Sequence, residues 1–172
     1  MNNHFFSILS TINAGFIFYQ SSYFLYSNNL EFFKLRLNWS IGYFILDSLQ
    51  YLYFKNKKLR LQMLTHHFII LYALCYNKFY LQNPYYELIA ISFLAEVSTI
   101  PLNICWVLND YKNKNSLLYR LCSYGTIILY IPFRLCLLPY ITLKLISLKL
   151  YTISFLSVNL TLLNYFWFYQ LF

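Results

Sequence analysis

The sequence predicts an all-α, polytopic integral membrane protein, a bundle of six transmembrane helices with a polar interior. Three observations carry this. Hydrophobic residues make up 60% of the 172 and charged residues only 10%, against roughly 45–50% and about 25% in soluble domains. Aromatics are abundant, with 17 Phe, 19 Tyr and 3 Trp. The apolar residues gather in six long runs separated by short polar breaks. There is too little polar surface to cover a soluble body of this size, and too much apolar mass to stay unfolded in water. A soluble domain, a disordered tail and a disulfide-stapled secreted module are excluded.

A bilayer core of about 30 Å needs roughly 20 apolar residues per helix. The six runs are Phe5–Tyr26, Leu37–Phe54, Met63–Leu81, Tyr85–Leu108, Leu117–Tyr140 and Leu148–Phe168. Together they take 128 of the 172 residues. What remains is enough only for the ends and five short connections, so sequential helices run antiparallel and 1–172 reads as one domain. Backbone groups in lipid must be satisfied internally, and the alternating ten-residue strands of a barrel are absent.

The first run lacks a basic segment before it and a small-residue cleavage site after it, so it reads as a retained span or signal anchor. Asn83-Pro84 suits the start of the fourth helix, where proline's missing N–H costs nothing. Pro101, Pro132 and Pro139 fall in runs four and five and should kink them. Asn109–Asn115 is a polar loop. The glycosylation triplet Asn38-Trp39-Ser40 abuts a span and Asn159-Leu160-Thr161 lies inside one, so neither is a good acceptor.

Net charge is +8. The basic residues sit mostly in breaks between runs, most tightly at Lys55, Lys57, Lys58 and Arg60, as juxtamembrane charge facing anionic headgroups does. No basic stripe or recognition helix points to nucleic acid. Seven Lys/Arg on the side of the termini against five on the other favour cytoplasmic termini. Cys75, Cys105, Cys122 and Cys136 are scattered in apolar runs without C-x-x-C spacing, as buried reduced thiols.

Ionisable residues inside spans are expensive and each is a functional-site hypothesis. They are Asp47, His66, His67, Glu96 and Arg134. Ser92, Glu96, Thr99, Asn103 and Trp106 recur every three or four residues as one polar stripe; Tyr43, Asp47, Gln50 and Tyr51 form another. Gln62 and His66 share a face, with His67 about 100° away. Two readings stay open. The polar groups are glue within the bundle, or two adjacent histidines with acids and an arginine on other spans form a site. Three histidines are too few for a di-iron desaturase. Zinc usually wants three or four convergent ligands, which His66, His67 and Glu96 do not readily supply, so no metal is expected. Acyl transfer fits better, with an imidazole as base or nucleophile, a carboxylate holding its tautomer and a cation stabilising developing charge.

Gly42-Tyr43-Phe44-Ile45-Leu46-Asp47, His66-His67, the stretch from Glu96 to Trp106, Phe133-Arg134 and Asn164-Tyr165-Phe166-Trp167-Phe168 together resemble the TLC-domain family, over roughly residues 5 to 170. That family includes ceramide synthases, translocon-associated membrane proteins, an endoplasmic-reticulum cargo receptor and regulators of membrane lipid composition. The resemblance implies six helices around a central cavity open to lipid, in endoplasmic-reticulum or related membranes. In the synthases the paired histidines take part in moving an acyl chain from coenzyme A to a sphingoid amine; here they would be His66 and His67, with Glu96 as the accompanying acid. Thr99 stands where the synthases carry a second acid, and span four is closer to the lipid-regulator branch, with Cys105 in place of its usual arginine.

The expected function is therefore binding or handling of membrane lipid, influencing bilayer composition. An N-acyltransferase is the alternative and a membrane adaptor or cargo receptor the third. Asp47, Ser98, Thr99, Asn103, Trp106, Arg134, Asn164 and Trp167 are the expected cavity and lipid-binding residues. No cofactor is expected beyond acyl-CoA as co-substrate of an acyltransferase. Membrane lipids are the expected partners.

Overall fold

Long runs of Leu, Ile, Phe and Tyr, almost free of glycine and proline, leave the backbone to satisfy itself as helix. In the computed structural model, which describes residues 3–52, 56–80, 84–111 and 113–171, every strand-like alternative is absent among the described residues. The helices are α1 (Asn3–Ser27), α2 (Leu30–Tyr51), α3 (Lys57–Tyr80), α4 (Pro84–Phe93), α5 (Thr99–Asp110), α6 (Leu117–Tyr130), α7 (Leu137–Ser147) and α8 (Tyr151–Leu171). A 3-10 segment, Leu94–Ser98, joins α4 to α5, and a π-helical segment, Ile131–Cys136, joins α6 to α7. The eight helices thus make six rods.

Two helices begin earlier than the apolar runs in the sequence. α2 starts at Leu30 rather than Leu37 because the Asn29 Oδ1 accepts from the Phe32 N–H at 3.0 Å. α3 starts at Lys57 rather than Met63, capped by Asn56 Oδ1 on the Leu59 N–H at 3.1 Å. Helix boundaries follow caps and not hydropathy. Rod five likewise runs on to Ser147, beyond the expected Tyr140. It closes in a turn where Lys149 takes a φ of 59°, with the Leu150 N–H on the Leu145 carbonyl at 3.1 Å. Phe54, Lys55, Leu81, Asn83 and Lys112, which figured in the sequence reading, lie outside the described residues. Asn38 and Asn159 are both mid-helix. Among the cysteines Cys105 is buried, Cys75 and Cys122 are half-buried, and Cys136 is exposed, contrary to the buried state expected for all four.

The prolines act through hydrogen bonding. Pro101 follows the 3-10 segment and Pro132 sits in the π segment, so both departures from the α ladder lie at or just before a missing N–H. Pro139 cannot donate to the Leu135 carbonyl, and the Tyr165 hydroxyl of α8 does so instead, at 3.0 Å.

The rods close into a ring. α1 packs against α2 and against rod four, α2 against α3, α3 against α8, α8 against α7, and rod five against rod four. One apolar cluster, with Ile17, Phe24, Phe33, Phe44 and Phe93, fills the space among rods one to four. A second, with Ala95, Leu138, Ile141 and Ile153, lies among rods four to six. Polar residues collect inside as well, including Asp47, His66, His67, Arg134 and Asn164.

Tyr85–Asn109 and Leu117–Ser147 are long and apolar enough to cross a membrane. Only 28% and 33% of their most apolar stretches are buried, so these are not core helices of a soluble body; their apolar sides face outward. The other rods spend positions on Tyr, Asn, Gln and Ser, which lowers their hydropathy.

Tyr165→Phe should destabilise the protein by about 1 kcal/mol or more, because it orphans the Leu135 carbonyl in apolar surroundings. Denaturation in detergent should show a smaller loss for the same change in a Pro139→Ala background, where the backbone N–H returns.

Candidate functional site

The site begins with two irregular segments facing each other. The 3-10 turn presents Glu96 and Ser98 and is followed at once by Thr99; the π segment presents Arg134. The π geometry adds a residue to the turn and re-aims its side chains, a device common at functional sites. Arg134 is buried, and each of its three guanidinium nitrogens has a hydrogen-bond partner. Its Nε donates to Ser98 Oγ at 2.8 Å, Nη1 to Asn164 Oδ1 at 3.1 Å and Nη2 to Thr99 Oγ1 at 2.7 Å. Nη2 also lies 3.6 Å from Glu96 Oε1, while Thr99 donates to Glu96 Oε2 at 3.0 Å. The Tyr130 ring lies 5.5 Å from the guanidinium carbon, and its hydroxyl donates to Asn164 at 3.1 Å.

A second constellation joins α2 to α3. His67 Nε2 lies 3.3 Å from Asp47 Oδ2, and its Nδ1 lies 3.2 Å from Ser48 Oγ. Ser48 donates its own hydrogen to the Phe44 carbonyl at 2.6 Å. The serine oxygen therefore accepts from the Nδ1–H. The His67 ring is held edge-on by Phe44 and Tyr51, at centroid distances of 5.5 and 5.3 Å.

His66 is placed differently. It is buried, its Nδ1 has no hydrogen-bond partner among the described residues, and its ring packs 5.3 Å from Trp167. Trp167 in turn donates to Gln62 Oε1 at 3.4 Å. The two adjacent histidines do not diverge into unrelated surroundings, since their ring centroids are 5.5 Å apart. The carboxylate within reach of a histidine is Asp47, where Glu96 was expected. Glu96 is bound to Thr99 and Arg134 because the 3-10 turn puts it beside the π segment.

Two cavities meet at these residues. Both have mainly apolar walls. One, of about 110 Å³, has Leu74, Ile89, Leu138, Ile141 and Leu160 in its wall. The other, of about 290 Å³, is richer in polar and aromatic side chains, with Tyr43, Asp47, His67, Asn103, Trp106 and Trp167. His66, Glu96 and Arg134 line both and form the waist between them. The expected polar stripe on rod four is thereby divided. Ser92 lines the apolar cavity; Thr99, Asn103 and Trp106 line the polar one. Asn164 lines the apolar cavity, and Ser98 lines neither but holds Arg134. Sequence reasoning missed Ser48 and Tyr130 as members. Ser48 follows Asp47 directly, and Tyr130 stands four residues before Arg134 on one helical face, the two signals that could have found them.

Chemically, the arrangement joins an apolar compartment to one richer in polar groups and keeps the His66 Nδ1 without a partner among the described residues at their junction. Arg134→Leu should cost about 3–5 kcal/mol in a detergent denaturation experiment, since it strands Glu96 and orphans Ser98, Thr99 and Asn164. Adding Glu96→Gln should recover part of that loss.

No curated protein and no solved structure matches this sequence. A family model described as TLC domain matches residues 3–172, nearly the whole chain. With its outward-facing apolar rods, the chain belongs to the TLC-domain family of membrane proteins.

Proposed function

We propose that this chain is a six-span membrane protein that binds and handles a membrane lipid, and through this influences lipid composition. The observation that carries the reading is the polar waist of His66, Glu96 and Arg134 shared by an apolar cavity and one richer in polar and aromatic side chains. An acyl lipid has the same two-part character. Its chain enters the apolar cavity, and its headgroup occupies the polar one. The apolar cavity follows one face of α3, from His66 through Ile70 and Ala73 to Asn77. The eleven steps of helix between them rise about 16 Å, a length suited to a single extended chain. Basic and aromatic pairs suit headgroup level at the other end of the bundle, with Arg36 stacked on Phe16 and Phe32 at 5.2 and 4.9 Å. An endoplasmic-reticulum-like membrane and cytoplasmic termini complete the reading, the latter from the distribution of Lys and Arg.

A photoactivatable fatty-acyl probe tests it on the purified chain. Labelling should map to the walls of the apolar cavity, and Ala73→Phe, which fills the cavity, should reduce it at least tenfold. Labelling confined to the outer faces of α6 and α7 would overturn the proposal.

The second reading, an N-acyltransferase, is favoured by one observation: His67 is oriented by Asp47 and Ser48 while His66 is free at the waist. In that reaction the amide C–N bond forms as the thioester C–S bond breaks, and His66 carries the amine proton to the departing thiolate. Long-chain acyl-CoA and a long-chain amine should then give amide and free coenzyme A. The product should fall at least a hundredfold in His66→Ala, and no turnover across a panel of chains and amines removes this reading.

A further inference from the structure

The charges around the polar cavity are already matched to one another. Asp47 Oδ2 lies 3.3 Å from His67 Nε2 and adds no positive charge to the cavity. Glu96 and Arg134 lie 3.6 Å apart and neutralise each other. Arg134 is the one cation among the described residues lining this cavity, and Ser98, Thr99 and Asn164 take up its remaining edges. No positive group is left over for a phosphate or a carboxylate. An anion placed here would compete with Glu96 in a poorly solvated space, where an unpaired charge is costly.

Three uncharged polar residues in the same wall each bury one side-chain atom with no hydrogen-bond partner among the described residues: Asn13 Oδ1, His66 Nδ1 and Asn103 Nδ2. They stand on α1, α3 and α5. Asn13 and His66 are more than nine-tenths buried. Buried polar groups are almost always satisfied, so three orphans lining one cavity call for a partner. Each carboxamide offers both a donor and an acceptor. The complementary ligand carries both as well, and no charge.

Building on the lipid-binding reading above, we propose that the polar cavity selects an uncharged headgroup bearing a hydroxyl or amide donor beside a carbonyl, and discriminates against phosphate- and carboxylate-bearing lipids. Asn13 and Asn103 bind the donor and the carbonyl, and the chain lies past the waist. Ester and amide lipids share this chemistry.

The test uses the full chain in detergent and four ligands with the same oleoyl chain: monoacylglycerol, the fatty ethanolamide, lysophosphatidic acid and free oleate. Binding is followed by tryptophan fluorescence, since Trp106 and Trp167 line the cavity. The monoacylglycerol, the ethanolamide or both should bind at least tenfold more tightly than either anion, and their ratio tells ester from amide. Asn13→Leu and Asn103→Leu should each weaken the uncharged ligand about tenfold, the worth of one good hydrogen bond, while leaving oleate unchanged. Anions binding as tightly as the uncharged lipids would overturn this inference and leave lipid binding standing. Binding of none of the four would overturn both. The headgroup comparison needs only the unmodified chain, so a variant that fails to fold does not leave the question open.

Discussion

The burial of the Arg134 guanidinium is the constraint on which the other features of the interior depend. A cation inside an apolar bundle must have every donor engaged and its charge met close by. Here the partners come from rods four and six: Ser98, Thr99 and Glu96 on one side and Asn164 on the other. Satisfying one residue therefore fixes the relative position of three rods. It also accounts for the irregular backbone. An unbroken α-helix through 94–98 would aim Glu96 and Ser98 differently, and one through 131–136 would re-aim Arg134 itself. The 3-10 and π segments lie where the side chains of this knot leave the backbone.

The ring of six rods gives the knot its place. Because rod four packs against rod one and rod six against rod three, the centre is enclosed and not split into two independent halves. The knot bridges that centre on one side. His66, from α3, approaches from the other. The result is a polar waist between two mainly apolar spaces, one of them richer in polar and aromatic side chains. An amphipathic ligand fits such an arrangement better than a wholly polar or wholly apolar one, because each part of it meets its own kind of wall.

The two histidines show how neighbours in sequence acquire different tasks. His67 lies between a carboxylate and a hydroxyl and is clasped by two aromatic rings, so its orientation is fixed. Among the described residues His66 has ring contacts and no hydrogen bond at Nδ1. In the proposed lipid binding, a fixed imidazole beside a free one would form a polar wall with one unfilled position. In the alternative acyl transfer, the same pair would be a positioned group beside a mobile one. The matched charges around them keep the space close to neutral, which bears on what kind of headgroup it can hold.

Much of this protein could be read without coordinates. The scarcity of charge and the six apolar runs dictated helices, and the expensive residues Asp47, His66, His67, Glu96 and Arg134 stood out because lipid tolerates so few of them. The ordered set of motifs already resembled the TLC-domain family, to which the chain belongs. What the sequence could not decide was pairing. Helical periodicity states which residues share a face but not which face meets which, because partners such as Arg134 and Ser98 are 36 residues apart. Only the ring closure assigns Asp47 to His67 and Glu96 to Arg134, and only the irregular turns split the polar stripe of rod four between two cavities. The physical reason is that burial cost falls on single residues and is legible one position at a time, whereas its compensation comes from groups that meet only when the chain has folded.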